Sequence, residues 1–124
     1  MWLLTTFGFF SIVEKPDDRG TGMVTVRARV RGDLESLRSK YLPALGEIKA
    51  TPDRDYVARG RVAKTDLAEA LGRIALDIDY PNFKSEVAQR MGYAREQVYD
   101  DVWETLAVLQ ERQEPARQNK ESKA

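Results

Sequence analysis

The sequence predicts an α+β domain: a four-stranded antiparallel sheet with helices on one face. Three observations predict it. Residues 24 to 31 alternate strictly, with Val24, Val26, Ala28 and Val30 on one side and Thr25, Arg27, Arg29 and Arg31 on the other, the period of a strand with one buried face. From Leu67 onward the apolar residues recur at helical spacing instead. A chain of 124 residues, 42% of them hydrophobic, has enough apolar surface for one core and hardly for two.

Taken in order, Met1 to Glu14 is rich in aromatic and β-branched residues and predicts the first strand. It ends at "EKPDDRGTG", whose Pro, Asp and Gly residues form turns. The second strand, Met23 to Arg31, completes a hairpin. Gly32 breaks it, Asp33 is a good N-cap, and Leu34, Leu37, Tyr41 and Leu42 predict a helix that Pro43 stops. "GEIKATPDRDYVARGRV" predicts a second hairpin turning at Pro52 to Arg54. Its second strand, Asp55 to Val62, points Tyr56, Ala58, Gly60 and Val62 inward and Val57, Arg59 and Arg61 outward. Thr65 caps a helix with Leu67, Leu71, Ile74, Ala75 and Ile78 on one stripe. A third helix runs from Pro81 to Gly92, with Pro suited to its first turn. A fourth, Ala94 to Gln110, carries Val98, Tyr99, Val102, Trp103, Leu106 and Leu109 on a broad apolar face. The domain so predicted covers residues 1–110, and residues 111–124 have no apolar period and predict a disordered tail.

This ββαββα order is that of a ferredoxin-like domain whose last strand has moved to the front. Its expected strand order is 1-2-4-3, which makes the second and fourth strands central neighbours. Arg27, Arg29, Arg31, Arg59 and Arg61 would then crowd one face. Directly opposed like charges cost about 0.2 to 1 kcal/mol per cross-strand pair, so an acidic group should lie over them. Within the chain it could be Glu14, Glu47, Glu96, Asp100, Asp101 or Glu104. Outside it, a phosphate fits the planar guanidinium fork. Phe10 and Ile12 should point away from Phe7 and Phe9, leaving apolar surface beside the arginines. "TTFGFFSI" shares Phe7, Gly8 and Phe9 with the aromatic motif of RNA-recognition sheets, but has Thr5 and Thr6 where that motif has a basic residue and Gly.

Twenty Lys plus Arg balance twenty Asp plus Glu, so any basic surface is local. The chain has no Cys and no His, which removes thiol nucleophiles, imidazole acid–base chemistry and the usual zinc sites. The opening "MWLLTTFGFFSIV" is too short to cross a bilayer and lacks a basic leading region; a cytoplasmic protein with no membrane partner is expected. A second constellation joins Trp2 to Asp77, Asp79, Tyr80, Asn82 and Lys84. Asp77 and Asp79 could hold Mg²⁺ through water in a phosphoryl-transfer enzyme, a spacing too common to be specific. The favoured reading has Asp79 or Tyr80 capping a helix, Asn82 bonding nearby backbone and Phe83 anchored in the core.

The segments "MWLLTTFGFFSIV", "VTVRARVRGDLESLRSKYLP" and "DYPNFKSEVA" together resemble a group of short bacterial proteins of unassigned function that begin Met-Trp-Leu and carry a Tyr-x-Asn-Phe-Lys segment. The resemblance implies a bacterial cytoplasmic protein and no activity. The matching positions are Trp2, Phe9, Phe10, Tyr80, Asn82, Phe83 and Lys84. The expected function is a noncatalytic binding or adaptor protein whose arginine face contacts an acidic partner, RNA or single-stranded DNA first and protein second. A homodimeric interaction module is the alternative. No catalytic residue, metal or cofactor is expected.

Overall fold

The uncharged opening segment, expected as one strand, folds back on itself as two. In the computed structural model, which describes residues 1–113, β1 (Trp2–Thr5) and β2 (Gly8–Val13) pair antiparallel about a turn at Thr6 and Phe7. The Thr5 hydroxyl holds the turn, donating to the Gly8 carbonyl at 2.7 Å and accepting the Phe7 amide at 3.2 Å. A 3-10 turn, Pro16–Asp18, leads to β3 (Met23–Ala28). Then come α1 (Arg31–Lys40), β4 (Lys49–Ala50), β5 (Ala58–Ala63) and α2 (Lys64–Leu76). The chain continues with α3 (Phe83–Met91) and α4 (Tyr93–Glu111).

The protein is therefore α+β, with an open antiparallel sheet of five strands, not four, in the order β1-β2-β3-β5-β4. β3 and β5 are neighbours inside the sheet, with Val24 opposite Val62, Val26 opposite Gly60 and Arg27 opposite Arg59. One face of the sheet meets α1 and α2. There Phe10, Val26, Leu34, Leu37 and Leu42 are at most 1% exposed, each contributing about 1.5 to 3 kcal/mol of burial. Gly60 lets α1's following loop close on the sheet, since a Cβ there would stand 3.1 Å from a Leu45 methyl. From α2, Leu67 and Ala70 are buried with Leu71 and Ile74 packed beside them, whereas Ala75, and Ile78 beyond the end of the helix, are exposed.

Helix starts depart from expectation. Val30 and not Asp33 occupies the N-cap of α1, and α2 begins one residue before Thr65, capped by Ala63. Asp33 sits in the first turn of α1 instead, where its charge suits the exposed amides. Asn82 caps α3, its side-chain oxygen accepting the Ser85 amide at 2.9 Å, so neither Asp79 nor Tyr80 has that role.

The helices α3 and α4 pack chiefly on each other, through stacked Phe83 and Tyr99 rings 5.7 Å apart and a fully buried Val87. A bidentate ion pair ties them to the rest. Arg95 of α4 donates to both carboxylate oxygens of Asp33 at 2.9 and 3.1 Å, and the Phe9 amide donates to the same carboxylate at 3.0 Å. Burial opposes the Arg95 charge, but the bonds to Asp33 outweigh it and raise the pKa above its ordinary value. The broad face expected of α4 is not packed on the domain: Tyr99 is buried, yet Val98, Trp103, Leu106 and Leu109 are all more than half exposed. Of the expected tail, Glu111 ends α4, and residues 114–124 lie outside the described residues.

Candidate functional site

The open face of the sheet is set by strand parity. With Val26 and Phe10 inside, the register turns Leu4 and Trp2 (β1), Phe9 and Ser11 (β2), Thr25 and Arg27 (β3), Arg59 and Arg61 (β5) and Lys49 (β4) to the other side. Arg27 and Arg59 are directly opposed, and Arg61 lies opposite Thr25. Two arginines placed on this face by alternation belong to other elements. Arg29 follows the end of β3, and Arg31 opens α1, where it bonds Glu35 at 3.1 Å and the Ile48 carbonyl at 3.3 Å. Arg31 is thus no part of the cluster.

The like charges are held apart by neutral partners. Arg27 donates to the Ser11 hydroxyl at 2.7 Å, and Arg29 to the Asp55 carbonyl at 2.8 Å. Their guanidinium carbons lie 4.5 and 4.7 Å from the centre of the Tyr56 ring, contacts worth about 0.5 to 1 kcal/mol each in the open and more when dry. Tyr56 was expected inside; it precedes β5 in an irregular loop, so strand parity does not govern it, and it is buried under the two arginines. Arg59 donates to the Thr51 hydroxyl at 3.2 Å and the Tyr56 carbonyl at 3.4 Å. Among the described residues, no carboxylate lies within 4.0 Å of Arg27, Arg29 or Arg59. Burial first, then the charges of Arg54 and Arg27, lowers the Arg59 pKa from its ordinary value. The Arg27 Nε is enclosed and has no partner among the described residues.

One carboxylate does answer the cluster, and sequence reasoning missed it. Asp18, with no exposed surface, accepts the Arg61 Nε at 2.7 Å through Oδ1, and the Thr25 hydroxyl at 2.7 Å and Lys15 amide at 3.0 Å through Oδ2. Burial works against its charge, but these bonds prevail and hold the carboxyl below its usual 3.8. The anions expected to do this do not: Glu14 pairs with Lys64 and Asp100 with Lys84. Around Arg61 and Arg59 lies a groove of about 430 Å³ that Lys15, Lys49 and Arg54 also line, together with Asp17, Asp18 and Glu47.

The second constellation is dispersed. Asp77 accepts the Tyr41 hydroxyl at 2.7 Å, a bond that, with burial, raises the Tyr41 pKa. Asp79 lies 3.7 Å from Arg90, and Tyr80 packs against Phe83 at 6.4 Å. Lys84 bonds Asp100 at 2.7 Å and sits 4.3 Å from the centre of the Trp103 ring. Among the described residues no three metal-ligating side chains cluster. Trp2 does not join this set: it lies edge-on to Phe9 at 5.6 Å, is 67% exposed, and extends the open face. Phe7, expected beside Phe9, is instead buried in the core against Phe10 and Tyr41.

Among the described residues no helix is long and apolar enough to cross a membrane. Comparison of the chain with protein-family models, curated proteins and solved structures returns no match.

Proposed function

We propose that this is a noncatalytic binding or adaptor protein that holds single-stranded RNA or DNA on the open face of its sheet. The observation that carries the reading is the trio Arg27, Arg29 and Arg59, gathered on one side with no carboxylate in reach among the described residues, beside a groove lined by five cationic side chains and three acidic ones. An external phosphate relieves the mutual repulsion and accepts paired hydrogen bonds from a planar guanidinium. Trp2 and Phe9, on the same side, offer ring faces for stacking by unpaired bases.

Anisotropy of a labelled oligonucleotide, titrated at several salt concentrations, tests this. Each phosphate that goes unneutralised on a single strand flattens the salt slope by about 0.7, so Arg27→Ala with Arg59→Ala should flatten it by about 1.4. An unchanged slope rejects the reading, and binding of an acidic polypeptide in its place transfers it to a protein partner.

A homodimer is our second reading, favoured by the more than half exposed Trp103, Leu106 and Leu109 of α4, since contiguous apolar patches mark interfaces. Sedimentation that gives a monomer at all concentrations removes it. The circularly permuted ferredoxin-like topology belongs with these proposals, supported by the order β2-β3-β5-β4 within the larger sheet. So does a cytoplasmic location, supported by the resemblance of the opening and Tyr-x-Asn-Phe-Lys segments to bacterial proteins.

A further inference from the structure

At the other end of the open face, where β3 gives way to α1, a cleft of about 380 Å³ lies between the sheet and α4. Trp2, Leu4 and Phe9 line it from the sheet, and Val98, Tyr99 and Val102 from α4. Its volume falls within the range of small-molecule sites, roughly 300 to 1,000 Å³, and its lining is of the usual aromatic and aliphatic kind. Asp33 and Arg95 reach it as a closed pair whose charges cancel. Arg29 is different: it lines the cleft as a cation with no carboxylate within 4.0 Å among the described residues, and its one hydrogen bond, from Nη1, goes to a backbone carbonyl.

The charge and the lining together select the occupant. The cleft shares Arg29, Trp2 and Phe9 with the proposed nucleic-acid surface, but its enclosed apolar walls suit a small amphiphile and not the phosphates of a polyanion. An uncharged hydrocarbon leaves Arg29 unanswered. The chain's own residues 114–124, "EPARQNKESKA", have no large apolar side chain to fill the space. We propose that the cleft binds a small apolar monocarboxylate, its body against Trp2, Leu4, Phe9, Val98 and Val102 and its carboxylate bonded by Arg29. This site goes beyond the nucleic-acid reading and stands without it.

The chain has two tryptophans, and Trp2 lines the cleft whereas Trp103 does not. In a Trp103→Phe protein the tryptophan emission, excited where tyrosine does not absorb, therefore reports on Trp2 alone. Decanoate should shift that emission saturably. Decan-1-ol, with the same body and no charge, should bind about tenfold more weakly, and Arg29→Ala should weaken decanoate by the same factor. Val102→Phe, which fills the cleft without adding a fluorophore, should abolish saturation. A linear, unsaturable response, equal binding of acid and alcohol, or full decanoate affinity in the folded Arg29→Ala protein overturns the proposal. Folding of each variant is read from its circular dichroism.

Discussion

Replacing Asp18 with Asn separates the structural from the electrostatic role of the arginine face in one experiment. An amide placed with its oxygen at the Oδ2 position still accepts from the Lys15 amide and the Thr25 hydroxyl, but it turns an NH₂ toward the Arg61 guanidinium where Oδ1 accepted at 2.7 Å. A hydrogen bond to a charged group contributes about 1.5 to 3 kcal/mol. The Arg61 side chain is 48% exposed, so screening brings this to the low end; weakening of the two retained bonds adds to it, for a total of about 2 kcal/mol. Urea unfolding should show the loss at neutral pH. Because folding lowers the Asp18 pKa below 3.8, its stabilisation is present above the unfolded value of about 3.9 and is lost as pH falls through the folded value. The gap between the two proteins should therefore begin to close below about pH 5. At the same time the substitution frees Arg61, and the salt slope for oligonucleotide binding should steepen by about 0.7. Unaltered stability at neutral pH refutes the burial argument. A stability loss with no steeper slope refutes the claim that Asp18 withholds Arg61 from the ligand.

Two further outcomes rest on neighbouring groups. Arg95→Ala leaves the buried Asp33 carboxylate unpaired, at a cost of about 3 kcal/mol once the partial exposure of Arg95 is allowed for, and should lower the calorimetric Tm by roughly 10 °C, whereas a change below about 2 °C would show that the pair holds nothing. Gly8→Ala places a Cβ 2.7 Å from that of Asp33 and 2.9 Å from the Phe10 ring, so it should destabilise by about 1 to 3 kcal/mol, seen as a lower urea midpoint, and an unchanged midpoint would mean that α1 moves aside at no cost.

Much of the sheet was readable because its signals are local. The alternation through Val24 to Ala28 and Ala58 to Val62 fixed which side of β3 and β5 is buried, whereas the opposition of Arg27 and Arg59 follows from the register of the two strands. The first hairpin was not readable. Two-residue hairpin loops usually announce themselves with Asn-Gly or Asp-Gly, whereas Thr6 and Phe7 turn with negative φ and rely on the Thr5 hydroxyl. Tyr56 escaped because loop geometry, not strand parity, places it. Asp18 and the Asp33–Arg95 pair escaped for a different reason. Asp18 meets Arg61 across 43 residues and Arg95 meets Asp33 across 62, and no spacing rule pairs groups that only the tertiary fold brings together. For Asp18 the available signal was the turn-forming Pro16-Asp17-Asp18 ahead of the β3 Thr and Arg residues.

The connectivity of the sheet also bears on how the chain reaches this form. β1 and β2 are joined by a tight turn, β2 and β3 by a local connection that holds the 3-10 turn, and α3 and α4 meet across a single glycine. The β3–β5 ladder alone must wait for α1, β4 and their loops to be gathered in, from Ala28 round to Ala58. Loop-closure entropy weighs most on such distant pairing, so among the ladders of the sheet the seam where Arg27 is brought against Arg59 carries the largest closure cost.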